Sequence, residues 1–151
     1  MNAPRSSAAP SSVFTDEIVG LSAIYTPGVR VVAWRRDLPE PLTPYAAGLV
    51  TRRPSFERAC AVYAGQPLAA ALDLPGEVSD GRAALMGDVQ QLTQIFADLT
   101  GDHHLGLRLR ALEGTMCPKW HVDRLRVRLI CTYVGPGTEW LEVVDGVEQS
   151  P

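Results

Sequence analysis

The stretch DGRAALMGDVQQLTQIFADLTGDHHLGLRLRA, residues 80–111, decides the fold class. Within it Leu85, Val89, Leu92, Phe96 and Leu99 recur at steps of four and three. That spacing stacks apolar side chains into one stripe on a helix of 3.6 residues per turn. It predicts a helix over residues 81–100, with Asp80 as N-cap and Gly101 closing the C-terminus. The period then changes from 3.6 to 2. Leu105, Leu107, Leu109 and Ala111 alternate with Gly106, Arg108 and Arg110, the pattern of a strand with one face buried and arginines outward. A long amphipathic helix needs an apolar surface to lie on, and an adjacent half-buried strand supplies one. The expectation is an α+β fold in which the long helix packs on an antiparallel sheet.

Downstream, Leu125, Val127, Leu129, Cys131 and Tyr133 share one parity, and Arg124, Arg126 and Arg128 share the other. This predicts a second strand over residues 120–133. Gly135-Pro136-Gly137 forces a turn, and residues 138–144 read as a third strand. Upstream, Phe56, Ala59, Cys60 and Tyr63 fall at helical spacing between Ser55 and Gly65, which predicts a short helix over residues 55–64. Residues 29–34 are β-branched and read as a strand after the Pro27-Gly28 turn. Pro39, Pro41 and Pro44 make residues 37–44 a loop. Residues 13–25 hold one or two helical turns. Residues 1–12, rich in Ala, Ser and Pro, read as a disordered tail, and residues 13–151 as a single α+β domain.

Composition narrows the classes of function. The 151 residues are 46% hydrophobic and 21% charged, ordinary values for a globular chain. A formal charge of −3 gives no global field for nucleic acid. No apolar run is of membrane length, and the N-terminus lacks the basic-then-apolar order of a secretory signal. The location expected is therefore cytoplasmic. Cys60, Cys117 and Cys131 are few and odd in number, which fits reduced thiols better than a disulfide framework. Cys60 and Cys131 sit at apolar positions and read as core.

The chemistry concentrates in residues 117–123, Cys-Pro-Lys-Trp-His-Val-Asp. On a strand, His121 and Asp123 would project from one face, the face of Leu125 and Val127, which is the predicted interior. An imidazole and a carboxylate in an apolar interior are costly unless paired or metal-bound. The simpler reading is a His–Asp hydrogen bond at a strand end. The sharper one is a divalent metal, since His-x-Asp supplies two of three ligands of the facial triad in non-haem iron enzymes. Cys117, four residues before His121, adds a thiolate as third ligand. Thiolate with imidazole favours zinc over magnesium or calcium, so zinc or ferrous iron is the expected ion. His103 and His104 follow the long helix, where protonated imidazole interacts favourably with the helix dipole; either is also a spare ligand. Arg108, Arg110, Arg126 and Arg128 read as a basic stripe across paired strands, first as a solvated face and otherwise as an anion-binding or partner surface. Trp120 and Trp140 read as pocket walls or as core. No Gly-x-Ser-x-Gly, His-Glu-x-x-His or Cys-x-x-Cys motif is present.

Cys117, His121 and Asp123, followed by Arg128, Leu129, Thr132, Tyr133 and the run Gly135-Pro136-Gly137-Thr138-Glu139-Trp140, resemble a bacterial family known as domain of unknown function 1826. The resemblance implies a role linked to zinc homeostasis and a metallochaperone-type GTPase as partner. By analogy of fold, the His-x-Asp strand is similar to the first ligand strand of the jelly roll, or double-stranded β-helix, of iron- and 2-oxoglutarate-dependent oxygenases. The fold expected on that analogy is a partial jelly roll. Family members continue past the Gly-Thr-Glu-Trp turn to a further His-containing segment, whereas this sequence stops at Pro151. The expectation is either a truncated member or a site that uses other ligands; truncation would remove the distal ligand an oxygenase needs and expose a sheet edge that invites a homodimer. Three functions remain open from sequence: a metal-binding protein, an oxygenase-like enzyme, and a non-catalytic interaction module.

Overall fold

A computed structural model describes residues 10–114, 119–121, 124–144 and 147–149. In chain order the elements are strand β1 (Ser12–Thr15), a 3₁₀ segment (Ile18–Tyr25), strand β2 (Val31–Trp34), helix α1 (Leu42–Arg52), strand β3 (Glu57–Tyr63), helix α2 (Ala69–Leu72), helix α3 (Asp80–Thr100), strand β4 (His104–Arg110), strand β5 (Glu142–Val144) and strand β6 (Val147–Gln149). The mixture is α+β, as the sequence implied. Among the described residues the sheets are three two-stranded ladders: β1 with β2 in parallel, β3 with β4 antiparallel, and β5 with β6 antiparallel. No described helix is long and apolar enough to cross a membrane. The chain divides into two compact units, residues 38–138 and residues 1–37 with 139–151.

The larger unit is organised by α3. Ser79 is its N-cap, with Oγ accepting from the backbone N–H of Arg82 at 3.3 Å. Asp80, expected as the cap, is instead the first helical residue, where its carboxylate sits against the positive end of the dipole. Gly101 ends the helix in the left-handed region at φ 76°, donating its N–H to Ala97 O at 2.8 Å, a conformation that favours a residue without Cβ. The predicted stripe is inward: Leu85, Val89 and Leu92 are buried, Phe96 and Leu99 half-buried. Full burial of a leucine such as Leu85 contributes about 1.5–3 kcal/mol. The helix lies chiefly against α1 and shares its core with Val62 and Leu105 of the β3–β4 ladder.

Helix α1 was hidden by its prolines. Residues 37–44 read as loop, yet α1 begins at Leu42 with Pro44 in its first turn. There a missing N–H removes no intrahelical bond, so proline is tolerated. Leu42, Ala46 and Leu49 then form its buried face.

The helix expected over residues 55–64 is a strand. β3 pairs residue for residue with β4, from Glu57 opposite Arg110 to Tyr63 opposite His104. Arg58, Cys60 and Val62 turn inward while Ala59 and Ala61 are exposed. Apolar runs this short carry no decisive period, and the ladder offered by β4 settles the conformation. β4 itself follows its sequence: Leu105, Leu107 and Leu109 face in, Arg108 and Arg110 face out.

The second strand, expected over residues 120–133, is not formed among the described residues, and nothing from 124 to 141 enters a ladder. Alternation nevertheless survives as burial. Val127, Leu129, Cys131 and Tyr133 are half-buried, and Arg126, Arg128, Ile130 and Thr132 are exposed. The segment takes the facing of a strand without strand pairing, because parity specifies which side turns inward but not which neighbour bonds the backbone. The third strand is present only in part, as β5.

In the smaller unit, β1 and β2 pair from Ser12 opposite Val31 to Thr15 opposite Trp34, with the 3₁₀ segment connecting them. Ser11 is buried and Ser12 begins β1, although composition placed both in the tail. Both hydroxyls donate to the Glu142 carboxylate, which also accepts from Trp140 Nε1 at 3.2 Å. One carboxylate thus joins the beginning and the end of this unit. The hydrogen bonds from Ser11, then Ser12, then Trp140 hold its pKa below the usual 4.5.

Candidate functional site

Of the three expected ligands, only His121 lies in the described residues; Cys117 and Asp123 are outside them. His121 is exposed rather than interior. The inward orientation rested on strand parity, and residues 119–121 and 124–133 form no strand. Its Nδ1 lies 3.0 Å from the carbonyl oxygen of Lys119. A carbonyl only accepts, so Nδ1 is the donor in this contact. Among the described residues no three His, Cys, Asp or Glu side chains gather as a metal would require.

His103 and His104 are held by an aromatic partner. The His103 ring stacks on Tyr63 with centroids 5.8 Å apart, and the His104 ring meets it edge-on at 4.8 Å. Both therefore sit at one end of the β3–β4 ladder. Trp120 is 59% exposed; Trp140 is half-buried, beside Phe14 at 6.0 Å. Gly135 adopts φ 86°, as the Gly-Pro-Gly turn requires. Arg108 and Arg110 share one carboxylate, with Nε atoms 3.3 Å from Glu57 Oε1 and Oε2 respectively. The four-arginine stripe across paired strands is not formed, since Arg126 and Arg128 lie in no ladder.

Two features escaped the sequence reading. One is Asp88, a carboxylate only 5% exposed on α3, which accepts the Tyr133 hydroxyl at 2.7 Å. A signal existed: Asp88 follows Leu85 by three and precedes Leu92 by four, on the buried stripe. The other is an open depression of about 370 Å³. One wall is the turn at residues 53–58 and the other is Asp73 with Pro75. Nothing in the sequence joins segments fifteen or more residues apart, and among the described residues its lining includes none of 119–121.

The turn wall is closed by Phe56 N–H to Arg53 O at 2.9 Å, and Phe56 O accepts from Ala111 N–H at 2.9 Å. The opposite wall is held from behind. Arg82 Nε donates to Leu74 O at 3.1 Å, the Tyr45 hydroxyl donates to Pro75 O at 2.8 Å, and Leu72 and Leu74 are buried. Burial raises the Tyr45 pKa above its ordinary value. Asp73 ends α2 with a left-handed backbone at φ 40°, and its carboxylate meets Arg58 at 3.3 Å. Arg58 also lies over the Phe56 ring, 5.6 Å from its centroid. An exposed pair of this kind is worth about 0–1 kcal/mol, so its consequence is orientation of the guanidinium rather than stability.

Comparison with known proteins gives one match. The family model described as "Protein of unknown function (DUF1826)" covers residues 15–150. No curated protein matches, and no solved structure matches.

Proposed function

The chain belongs to the DUF1826 family, and from that premise we propose that residues 117–123 form a divalent-metal site with His121, Asp123 and Cys117 as ligands. The observation that supports the proposal is the hydrogen bond from His121 Nδ1 to Lys119 O, which orients the imidazole ring. The donor set, imidazole with carboxylate and thiolate, suits zinc or ferrous iron. A role in metal homeostasis alongside a metallochaperone-type partner is what the family resemblance implies. An oxygenase activity would need a distal histidine in addition. Elemental analysis of untagged protein, beside His121→Ala with Asp123→Ala, tests the site. Near-stoichiometric zinc or iron lost in the double variant supports it; equal metal in both, or none after reconstitution, sinks it.

A second reading, an interaction module, is favoured by a separate observation. Arg126, Arg128 and Ile130 are exposed along a segment whose alternate residues turn inward, and strand-like segments of this kind take up partner strands. A partner captured in the presence of chelator, and lost with Arg126→Glu, supports it; capture that requires metal does not.

A further inference from the structure

We propose that the depression between the turn at residues 53–58 and the segment 73–75 binds an oxyanion, the phosphate or carboxylate group of a small molecule. The inference shares no residue with the metal proposal and stands or falls separately.

Charge is the first argument. Four guanidinium groups, Arg53, Arg58, Arg108 and Arg110, line the depression or pair with its lining, against the two carboxylates of Glu57 and Asp73. Glu57 is engaged on both oxygens by Arg108 and Arg110. That leaves a local positive excess in a chain whose formal charge is −3. Arg53 is exposed, and its guanidinium makes no ion pair among the described residues. The Ser55 hydroxyl beside it is exposed as well. Guanidinium forks match the planar or tetrahedral oxygens of carboxylate and phosphate, and a hydroxyl adds a neutral donor.

Pre-organisation is the second. Arg58 is fixed by the Asp73 carboxylate on one side and the Phe56 ring on the other. The backbone of both walls is tied by hydrogen bonds to Arg82, Tyr45 and Ala111. A ligand therefore meets donors already in place and does not have to order them.

The test titrates inorganic phosphate, and acetate in a parallel arm, into the full-length chain at constant ionic strength, read by ¹H–¹⁵N NMR. Saturable shifts at the Arg53 and Arg58 side-chain N–H groups and at the amides of residues 55–58 are expected. Arg53→Gln should weaken binding about tenfold, the weight of one charge-assisted hydrogen bond. Ser55→Ala should weaken it less, and Arg126→Gln, an exposed cation outside the depression, should leave it unchanged. Tighter binding of phosphate assigns a phosphorylated ligand, and tighter binding of acetate a carboxylate. Shifts that do not saturate, or an equal loss in Arg53→Gln and Arg126→Gln, overturn the proposal.

Discussion

The Tyr133 hydroxyl donates to the buried carboxylate of Asp88 at 2.7 Å, across 45 residues of sequence. It joins Tyr133 to the middle of α3. Tyr133 stands two residues before the Gly135 turn, so the same bond fixes where that turn begins. A buried carboxylate stripped of a donor keeps its full desolvation cost.

Replacing Tyr133 with Phe should therefore destabilise the fold by about 1–3 kcal/mol, the cost of a buried acceptor left short of a donor. Urea denaturation checks it. A double-mutant cycle with Asp88→Asn isolates the pair, and a coupling near zero would show that the contact contributes nothing.

Two glycines of α3 should respond oppositely to alanine. A Cβ at Gly81 would lie 2.3 Å from Pro41 O and 2.6 Å from Tyr45 Cβ, where α1 crosses the start of α3. Backbone stands in the way, so Gly81→Ala should cost about 1–3 kcal/mol despite better helix propensity. A Cβ at Gly87 meets nothing within 4 Å, and Gly87→Ala should stabilise by about 0.5–1 kcal/mol. Melting temperatures that move the same way for both would contradict the packing of α1 on α3.

Acid should loosen the smaller unit. The folded Glu142 pKa lies below 4.5 because Ser11, Ser12 and Trp140 donate to the ionised form. A lowered folded pKa gives a contribution fully present above 4.5 and lost as pH falls through the folded value. The stability difference between the wild-type chain and Glu142→Gln should shrink as pH drops below 4.5. A difference that stays constant to lower pH would show that the serine contacts do not favour the carboxylate.

Base should act on the larger unit with the opposite sign. Burial raises the Tyr45 pKa above 10.0, so its contribution is complete below 10.0 and lost as pH rises through the folded value. Tyr45→Phe removes both that alkaline limb and the hydrogen bond to Pro75 O. A tyrosinate absorbance titration, wild type against variant, should show the missing group titrating above the ordinary range.

The elements read correctly are those whose period is long or whose punctuation is strong. Helix α3 has five apolar positions in one stripe and a glycine at its end; β4 alternates without a break. Residues 57–63 offered too few apolar positions to separate period 2 from period 3.6, and α1 was masked by prolines that its first turn tolerates. The candidate site was legible as chemistry in Cys117, His121 and Asp123. Its geometry was not, because parity fixes facing only where a strand forms, and residues 124–133 enter no ladder.

What the sequence determined by itself is therefore local: an α+β composition, the long helix and its cap at Gly101, the alternation through residues 126–133, and membership of a family marked by one linked motif. What only the tertiary structure decided is pairing. β3 became a strand because β4 lay beside it, Asp88 could be buried because Tyr133 reached it, and the arginine-lined depression exists because residues 53–58 meet residues 73–75. Each depends on groups distant in sequence, whose free energy of contact is set by burial and hydrogen bonding in three dimensions and leaves no period along the chain.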